Sequence, residues 1–188
     1  MKKKQHTLKL NNSSITLRAL EPDDLDIVYR WENDPSLWPC GDTCAPLSRH
    51  RLKEYIDNYD GDINSARQLR LMIVDNASGR PAGTIDITDY DPVNRRASVG
   101  VFVDEEFRHM GYATTALMMV AELCRERLGM HQLWAIVAAD NTDSRRLFGD
   151  TGFKIAGHLQ SWLRQGRRYT DAYIYQRFLT TDEPFDIF

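Results

Sequence analysis

The sequence predicts an α/β (α+β) fold: a mixed, mostly antiparallel sheet of about seven strands with helices on both faces. Three observations carry this. Short alternating segments bounded by turn residues recur through the middle and at the end of the chain. One long helical stripe, Ala113, Ala116, Leu117, Val120, Ala121, Cys124 and Leu128, recurs at i, i+3, i+4 and i+7. A short continuous apolar run, Leu133 to Val137, follows that stripe and reads as a strand buried on both faces.

In chain order, Ser14 to Leu20 alternates as a first strand. Pro22 then opens a helix with Leu25, Val28 and Tyr29 on one side. Ser48 is placed to cap a second helix with Leu52, Tyr55, Ile56 and Tyr59 on one face. A three-stranded meander follows: Leu69 to Asp75, Gly83 to Tyr90 and Ala97 to Val103, separated by Asn76–Arg80 and Asp91–Asn94. After the long helix and the apolar strand, Asn141 caps a short helix that Gly152 ends. Phe153 to Leu163 and Tyr169 to Phe178, joined across Arg164–Arg167, close the chain as a hairpin. The predicted order is β-α-α-β-β-β-α-β-α-β-β. No repeat or linker divides it, so residues 1–188 read as one domain with its core at about 15–179.

Composition narrows the function. The chain has 188 residues, 42% of them hydrophobic, and a formal net charge of −3 from 24 Lys+Arg against 27 Asp+Glu. A chain of this length can bury a core without staples. The charge lacks the basic excess of a protein that lives on phosphate backbones, so nucleic acid is excluded as the main ligand. No apolar stretch approaches the roughly 20 residues of a spanning helix, and no apolar run follows Lys2, Lys3 and Lys4, so neither membrane nor secretion is expected. Three cysteines, Cys40, Cys44 and Cys124, lack the partners of a zinc site; reduced thiols and a cytoplasmic location are expected, with no metal. Residues 21–42 hold seven carboxylates against Arg30 alone. Such a run is either a solvated helix face or an acidic rim that draws in a cationic substrate.

The chemistry is expected where the third meander strand meets the long helix, at Arg108-His109-Met110-Gly111-Tyr112-Ala113. The first turn of a helix has backbone N–H groups without intrahelical partners, and its dipole is positive there, so it accepts phosphate. Gly111 permits close approach of a ligand to the backbone, and the small Ala113 lets the helix pack tightly.

Arg-x-x-Gly-x-Ala at this junction resembles the acyl-CoA loop of the GNAT superfamily of N-acetyltransferases. The segment Asn141-Thr142-Asp143-Ser144-Arg145-Arg146-Leu147-Phe148-Gly149-Asp150-Thr151-Gly152-Phe153 resembles a second motif of that superfamily, Asn-x-x-Ser-x-x-Leu-Tyr-x-x-x-Gly-Phe. The predicted element order is that of the GNAT fold. Leu17–Glu21, Asn94–Ala97 and Gln165–Tyr169 are similar, more loosely, to bacterial spermidine or diamine acetyltransferases and to ribosomal-protein N-terminal acetyltransferases.

The resemblance implies transfer of an acetyl group from acetyl-CoA to a primary amine of a polyamine or diamine such as spermidine. The alternatives are N-terminal acetylation of a protein, or a CoA-binding regulatory module with little catalysis. It implies that Val101, Phe102 and Val103 offer backbone to pantetheine, that Arg108, His109, Met110, Gly111, Tyr112, Ala113 and Thr114 hold the pyrophosphate, and that Asn141, Arg145 and Phe148 complete the cofactor site. At two positions the chain departs from the family: Phe148 stands where many relatives carry an acidic Tyr, and Ser98 where the spermidine enzymes carry Glu. Asp86, Ser98 and Tyr173 are therefore the catalytic candidates, with Tyr169 beside them. Asp42, Asp86 and Trp38 are the candidates for holding the amine. Asp86 also fits the solvent face of a half-exposed strand, and the tyrosines fit packing. A homo-oligomer is compatible with this reading.

Overall fold

A computed structural model describes residues 10–38, 45–59 and 61–179. Its seven strands are β1 (Ile15–Ala19), β2 (Leu69–Asp75), β3 (Pro81–Asp91), β4 (Arg96–Val103), β5 (Gln132–Ala138), β6 (Lys154–Gln165) and β7 (Arg168–Phe178). They form one sheet in the order β1-β2-β3-β4-β5-β7-β6. All neighbouring pairs are antiparallel except β4 and β5. The helices are α1 (Leu25–Glu32), α2 (Arg49–Asp57), α3 (Ile63–Ala66), α4 (Tyr112–Glu126) and α5 (Thr142–Asp150).

The predicted order holds, with three additions: the single turn of α3, a 3-10 turn at Pro22–Asp24 that carries Pro22 into α1, and a 3-10 turn at Glu105–Phe107 between β4 and the loop before α4. Ser48 Oγ accepts the Arg51 N–H at 3.1 Å and Asn141 Oδ1 accepts the Ser144 N–H at 3.0 Å, so both predicted caps are made. The closing hairpin turns more tightly than expected. β6 runs to Gln165 and β7 starts at Arg168, leaving Gly166 (φ 63°) and Arg167 as the turn.

Two apolar clusters lie on opposite faces of the sheet. On one, α4 and α5 bury Ile85, Ile87, Ala97, Val99, Leu117, Val120, Cys124, Leu133, Val137 and Phe148. On the other, α1 and α2 bury Leu20, Val28, Trp31, Leu52, Ile56 and Met72, with Phe102 packed against them. The strict alternation of β-strand side chains assigns the rest. Arg70, Thr84, Asp86, Ser98 and Gly100 share the α1–α2 face, because Ile85, Ile87, Val99 and Val101 face α4.

β5 differs from expectation. It buries Leu133, Ala135 and Val137, but Ile136 is 37% exposed, so it is covered on one face only. The reason is topological: β4 pairs with β5 only from Arg96–Gln132 to Ser98–Trp134 and then diverges. α1 and α2 pack over the β1–β4 half of the sheet and leave the far face of β5 open.

Candidate active site

The divergence after Ser98 leaves the β5-facing backbone of Gly100 to Val103 without a strand partner, while the other edge of β4 stays paired to β3 as far as Gly83–Val103. Backbone N–H and C=O groups demand partners, so this gap suits an extended ligand able to take the place of a strand. Val101 and Val103 point their side chains into the α4 cluster and Phe102 into the α1–α2 cluster, so all three present only backbone to the gap.

The mouth of the gap is the start of α4. Its N-cap is Gly111 in the left-handed region (φ 77°), with no side chain capping the helix. The first intrahelical bond is from Thr115 N–H to the Gly111 carbonyl, 3.0 Å, which leaves the N–H groups of Tyr112, Ala113 and Thr114 free of such partners. His109 is also left-handed (φ 64°). Turn conformations of this kind can direct successive N–H groups toward an anion, forming a nest. A Cβ added at Gly111 would meet nothing within 4 Å. Arg108 Nε donates back to the Val103 carbonyl at 3.3 Å, holding the loop to the end of β4. The side chains of His109, Met110 and Thr114 are exposed. The Tyr112 hydroxyl instead donates inward to Asp75 Oδ1, 2.7 Å, so Tyr112 brings only backbone to the mouth.

On the other side of the gap, Asn141 uses its side chain as the α5 cap. The Arg145 Nη1 donates to the Ala139 carbonyl at 3.0 Å, while its Nε is buried without a hydrogen-bond partner. An orphaned buried donor is costly, and a ligand carbonyl beside it would satisfy it. The open Gly111, the uncapped helix and this Arg145 Nε fit a molecule with a pyrophosphate at one end and an amide-rich arm at the other.

The three catalytic candidates are not brought together. Asp86 and Ser98 share the α1–α2 face, with Asp86 opposite Gly100 and Ser98 opposite Thr88. Tyr173 lies on the other face, opposite Val137, stacked on His158 at 5.1 Å, with the Arg145 guanidinium 4.9 Å above its ring. Tyr169 is 63% exposed on the hairpin, outside both clusters. Phe148 is buried, with ring centroids 5.0 Å from Phe153 and 6.0 Å from Tyr175. It serves the α4–α5 core.

On the acceptor side, Asp86 Oδ1 accepts Arg70 Nε at 2.6 Å, and Thr84 Oγ1 lies 3.3 Å from Oδ2. Arg70 Nη1 reaches Glu32 Oε1 at 2.8 Å, and Tyr55 lies 5.8 Å from the guanidinium. Burial alone would lower the Arg70 pKa, but the Asp86 and Glu32 carboxylates overcome it and raise the pKa instead. Trp38 Nε1 donates to the Glu32 carbonyl at 3.0 Å, placing Trp38 at the end of α1 beside this group. Asp42 lies outside the described residues. Gly100 forms the bare floor, since a Cβ there would meet nothing within 4 Å.

Neither sequence reading of the acidic segment describes it fully. Asp24 is buried in a bidentate pair with Arg18 at 2.6 and 2.7 Å, Asp26 pairs with Arg49, and Glu32 pairs with Arg70. Glu32 entered the sequence reading only as one of seven carboxylates of that run, and Arg70 was not among the residues expected at the site. Arg70 sits on an alternating strand with nothing local to mark it, and only the pairing of Arg70 with Asp86 across β2 and β3 brings it there.

A strand gap beside an uncapped helix N-terminus, with carboxylates on the far face, defines an acyl-CoA-dependent acyltransferase. The chain belongs to the GNAT acetyltransferase family: the model of the acetyltransferase (GNAT) domain matches residues 14–154, and members of that family draw on acetyl-CoA. Among curated relatives, the spermidine N(1)-acetyltransferase of Escherichia coli K12 is 26% identical over 149 residues, covering 78% of this chain and 76% of that protein. The spermidine N(1)-acetyltransferase of Vibrio cholerae is 26% identical, covering 85% and 90%. A solved structure of the Vibrio cholerae spermidine N-acetyltransferase with CoA and spermine superposes with a TM-score of 0.78 at 24% identity, covering 89% of this chain and 97% of that one. A dodecameric structure of that enzyme gives a TM-score of 0.75 at 25% identity, covering 89% and 95%. Among the described residues, no helix is long and apolar enough to cross a membrane and no cluster of potential metal ligands occurs.

Proposed function

We propose that this protein acetylates a primary amine of a small polyamine or diamine, as the names of its spermidine N(1)-acetyltransferase relatives state for them. The observation that carries the reading is the β4–β5 divergence, which opens on the uncapped α4 on one side and on the Glu32–Arg70–Asp86 group on the other.

Acetyl-CoA, when bound, supplies an activated thioester. Backbone of Val101, Phe102 and Val103 aligns its pantetheine arm, and Asn141 and Arg145 flank that arm from α5. The loop from Arg108 to Thr114 holds the pyrophosphate, with Arg108, His109 and Met110 exposed at its rim and Tyr112 and Ala113 contributing N–H groups. Phe148 packs beneath the arm.

Asp86 and Glu32 draw the protonated amine to the sheet floor at Gly100, with Trp38 bordering the entrance. A lysine-like amine is neutral in only about one molecule in 2,500 at pH 7. Asp86 Oδ1 is already engaged by Arg70, so Asp86 holds the ammonium while its proton passes to water, and the Ser98 hydroxyl holds that water as a relay. Tyr173, on the opposite face, is the candidate proton donor to the thiolate. A thiol pKa near 8.5 makes that donation helpful without being obligatory.

The protein works as a single domain in the cytoplasm, with Cys124 reduced, and as a homo-oligomer. Its relative's dodecamer supports the last point, and light scattering tests it. The function is tested by thiol release from acetyl-CoA against polyamines, aminoglycosides and peptides beginning in Ser or Ala. Turnover of spermidine or a diamine is expected. Turnover of peptides alone would assign protein N-terminal acetylation, and binding of acetyl-CoA without turnover of any amine would assign a regulatory module.

A further inference from the structure

β4 ends at Val103, and the next residue, Asp104, is held from α1. Its Oδ2 accepts the Trp31 Nε1–H at 2.6 Å and a donor of the Arg30 guanidinium, and its Oδ1 accepts the Glu106 N–H at 3.4 Å, capping the 3-10 turn that follows. The Asp104 side chain keeps only 13% of its exposure, and its backbone N–H donates to the Ala82 carbonyl at 2.8 Å. Burial works against the carboxylate charge, but the Trp31 and Glu106 N–H groups and the Arg30 cation outweigh it and hold the Asp104 pKa below its ordinary value. The buried Trp31 ring packs edge-on against Phe102, with centroids 5.3 Å apart.

These contacts lie one step from the acceptor group. Arg70, Asp86 and Gly100 form one row across β2, β3 and β4, and Met72, Thr84 and Phe102 form the next, about 7 Å along the strands. Trp31 sits on the second row, and the residue after it in α1, Glu32, bonds Arg70 of the first at 2.8 Å. The strand that Asp104 terminates is also the one whose backbone at Phe102 and Val103 borders the gap. Apolar packing of α1 against Met72 and Phe102 is non-directional and tolerates sliding, whereas hydrogen bonds from two successive residues to one carboxylate oxygen fix the height and the rotation of the helix.

We infer that Asp104 is a positioning residue for acetyl transfer: by holding Arg30 and Trp31 it sets where Glu32, and with it the Arg70–Asp86 group, stands relative to the β4 backbone that aligns the thioester. This rests on the amine-acetylating reading above and adds what keeps the two substrates in register. The Asp104 carboxylate is committed to α1 and to the turn after β4, so each half of the site keeps its own contacts when that carboxylate is lost. What is lost is the alignment of amine with thioester. A misplacement of about 1 Å caused away from the chemistry can lower the rate about a hundredfold, so the effect falls on kcat rather than on either KM.

The test is thiol-release kinetics of the full chain with acetyl-CoA and spermidine or 1,4-diaminobutane. Turnover is expressed per CoA-binding site, counted by titration calorimetry, so that unfolded protein does not enter kcat. Asp104→Ala is expected to lower kcat by about tenfold or more, with both KM values and the Kd for CoA within about threefold of wild type. Trp31→Phe removes the donor but keeps a ring against Phe102, and it is expected to lower kcat in the same way. The double variant should fall no more than about threefold below the weaker single one, because both substitutions cut one link. Where Asp104→Ala does not fold, Asp104→Asn takes its place: it keeps an oxygen for the Trp31 N–H, loses the charge that pairs with Arg30, and is expected to lower kcat by about threefold or more. A smaller loss of kcat per site in Asp104→Ala, or in Asp104→Asn in its place, overturns the inference. A raised KM with kcat retained, or fully multiplicative losses in the double variant, overturns it as well. If the wild type turns over peptides beginning in Ser or Ala and no polyamine, the amine-acetylating reading is overturned, and the same losses measured with the peptide leave the role of Asp104 standing. No turnover of any acceptor by the wild type overturns both.

Discussion

The Tyr112 hydroxyl donates to Asp75 Oδ1 at 2.7 Å, joining the first residue of α4 to the last residue of β2 across 37 positions of sequence. Asp75 also takes the Ser78 hydroxyl at 2.5 Å and the Ser78 N–H at 2.9 Å. A turn of the meander is thereby tied to the uncapped helix α4, and the direction of α4 depends on a carboxylate far from it in sequence. Tyr112→Phe removes the tie and leaves the ring. We expect a Tm lower by about 2–8 °C and CoA binding weaker by about three- to tenfold, read by calorimetry, with KM for acetyl-CoA raised more than kcat is lowered.

The same carboxylate gives a pH dependence. The Ser78 hydroxyl, then that of Tyr112, hold the Asp75 pKa down to about 2, against 3.8 ordinarily. A depressed carboxylate pKa stabilises the fold fully above the unfolded value, and that stabilisation is lost as pH falls from about 4 to about 2. Thermal melts between pH 2 and 6 should show Asp75→Asn well below the wild type at pH 6, with the gap closing towards pH 2. A constant gap would contradict the assignment.

Two glycines in neighbouring strands should behave oppositely. A Cβ at Gly83 would lie 2.1 Å from the Phe102 carbonyl oxygen and 2.9 Å from the Val103 Cα, both backbone atoms of the strand that borders the gap. Gly83→Ala must displace β4, and a loss of roughly 3 kcal/mol or more is expected by urea unfolding. Gly100→Ala meets nothing within 4 Å, so its stability should stay within about 0.5 kcal/mol of wild type. Its methyl group stands on the acceptor floor, and kcat/KM for the amine should fall by about tenfold while acetyl-CoA binding is retained.

Phe148→Tyr places a hydroxyl where the family's acid stands, in a cluster with Phe153 and Tyr175. The thiolate leaves readily on its own, so a rise in kcat of less than about threefold is expected, with a stability cost of about 1–2 kcal/mol for the added polar atom. A rise of tenfold or more in the thiol-release assay would show that proton donation limits the wild type.

Burial pushes the Cys124 thiol pKa up to about 12. Alkylation at pH 8 followed by peptide mass spectrometry should leave Cys124 unmodified in the folded protein and modify it in urea. Labelling of native Cys124 on the same timescale would mean that α4 opens.

The elements were legible in the sequence because each depends on nearby residues. The stripe from Ala113 to Leu128 made α4, Ser48 and Asn141 made caps, and alternation made the meander. The loop that opens α4 was legible for the same reason, since Gly111 and the start of the helix are adjacent in the chain. The acceptor side was not. Asp86 was visible, but Glu32 and Arg70 reach it across 54 and 16 positions through the pairing of α1, β2 and β3, which no local pattern encodes. The resemblance also could not show that Tyr173 lies on the opposite face from Asp86 and Ser98, since a strand's register alone decides which face a side chain takes. By itself the sequence determined the elements, the family and the loop that opens α4, which are properties of contiguous residues. Only the tertiary structure decided that Glu32 and Arg70 join Asp86 in one group on the α1–α2 face, because that is set by which strands pair and in what register.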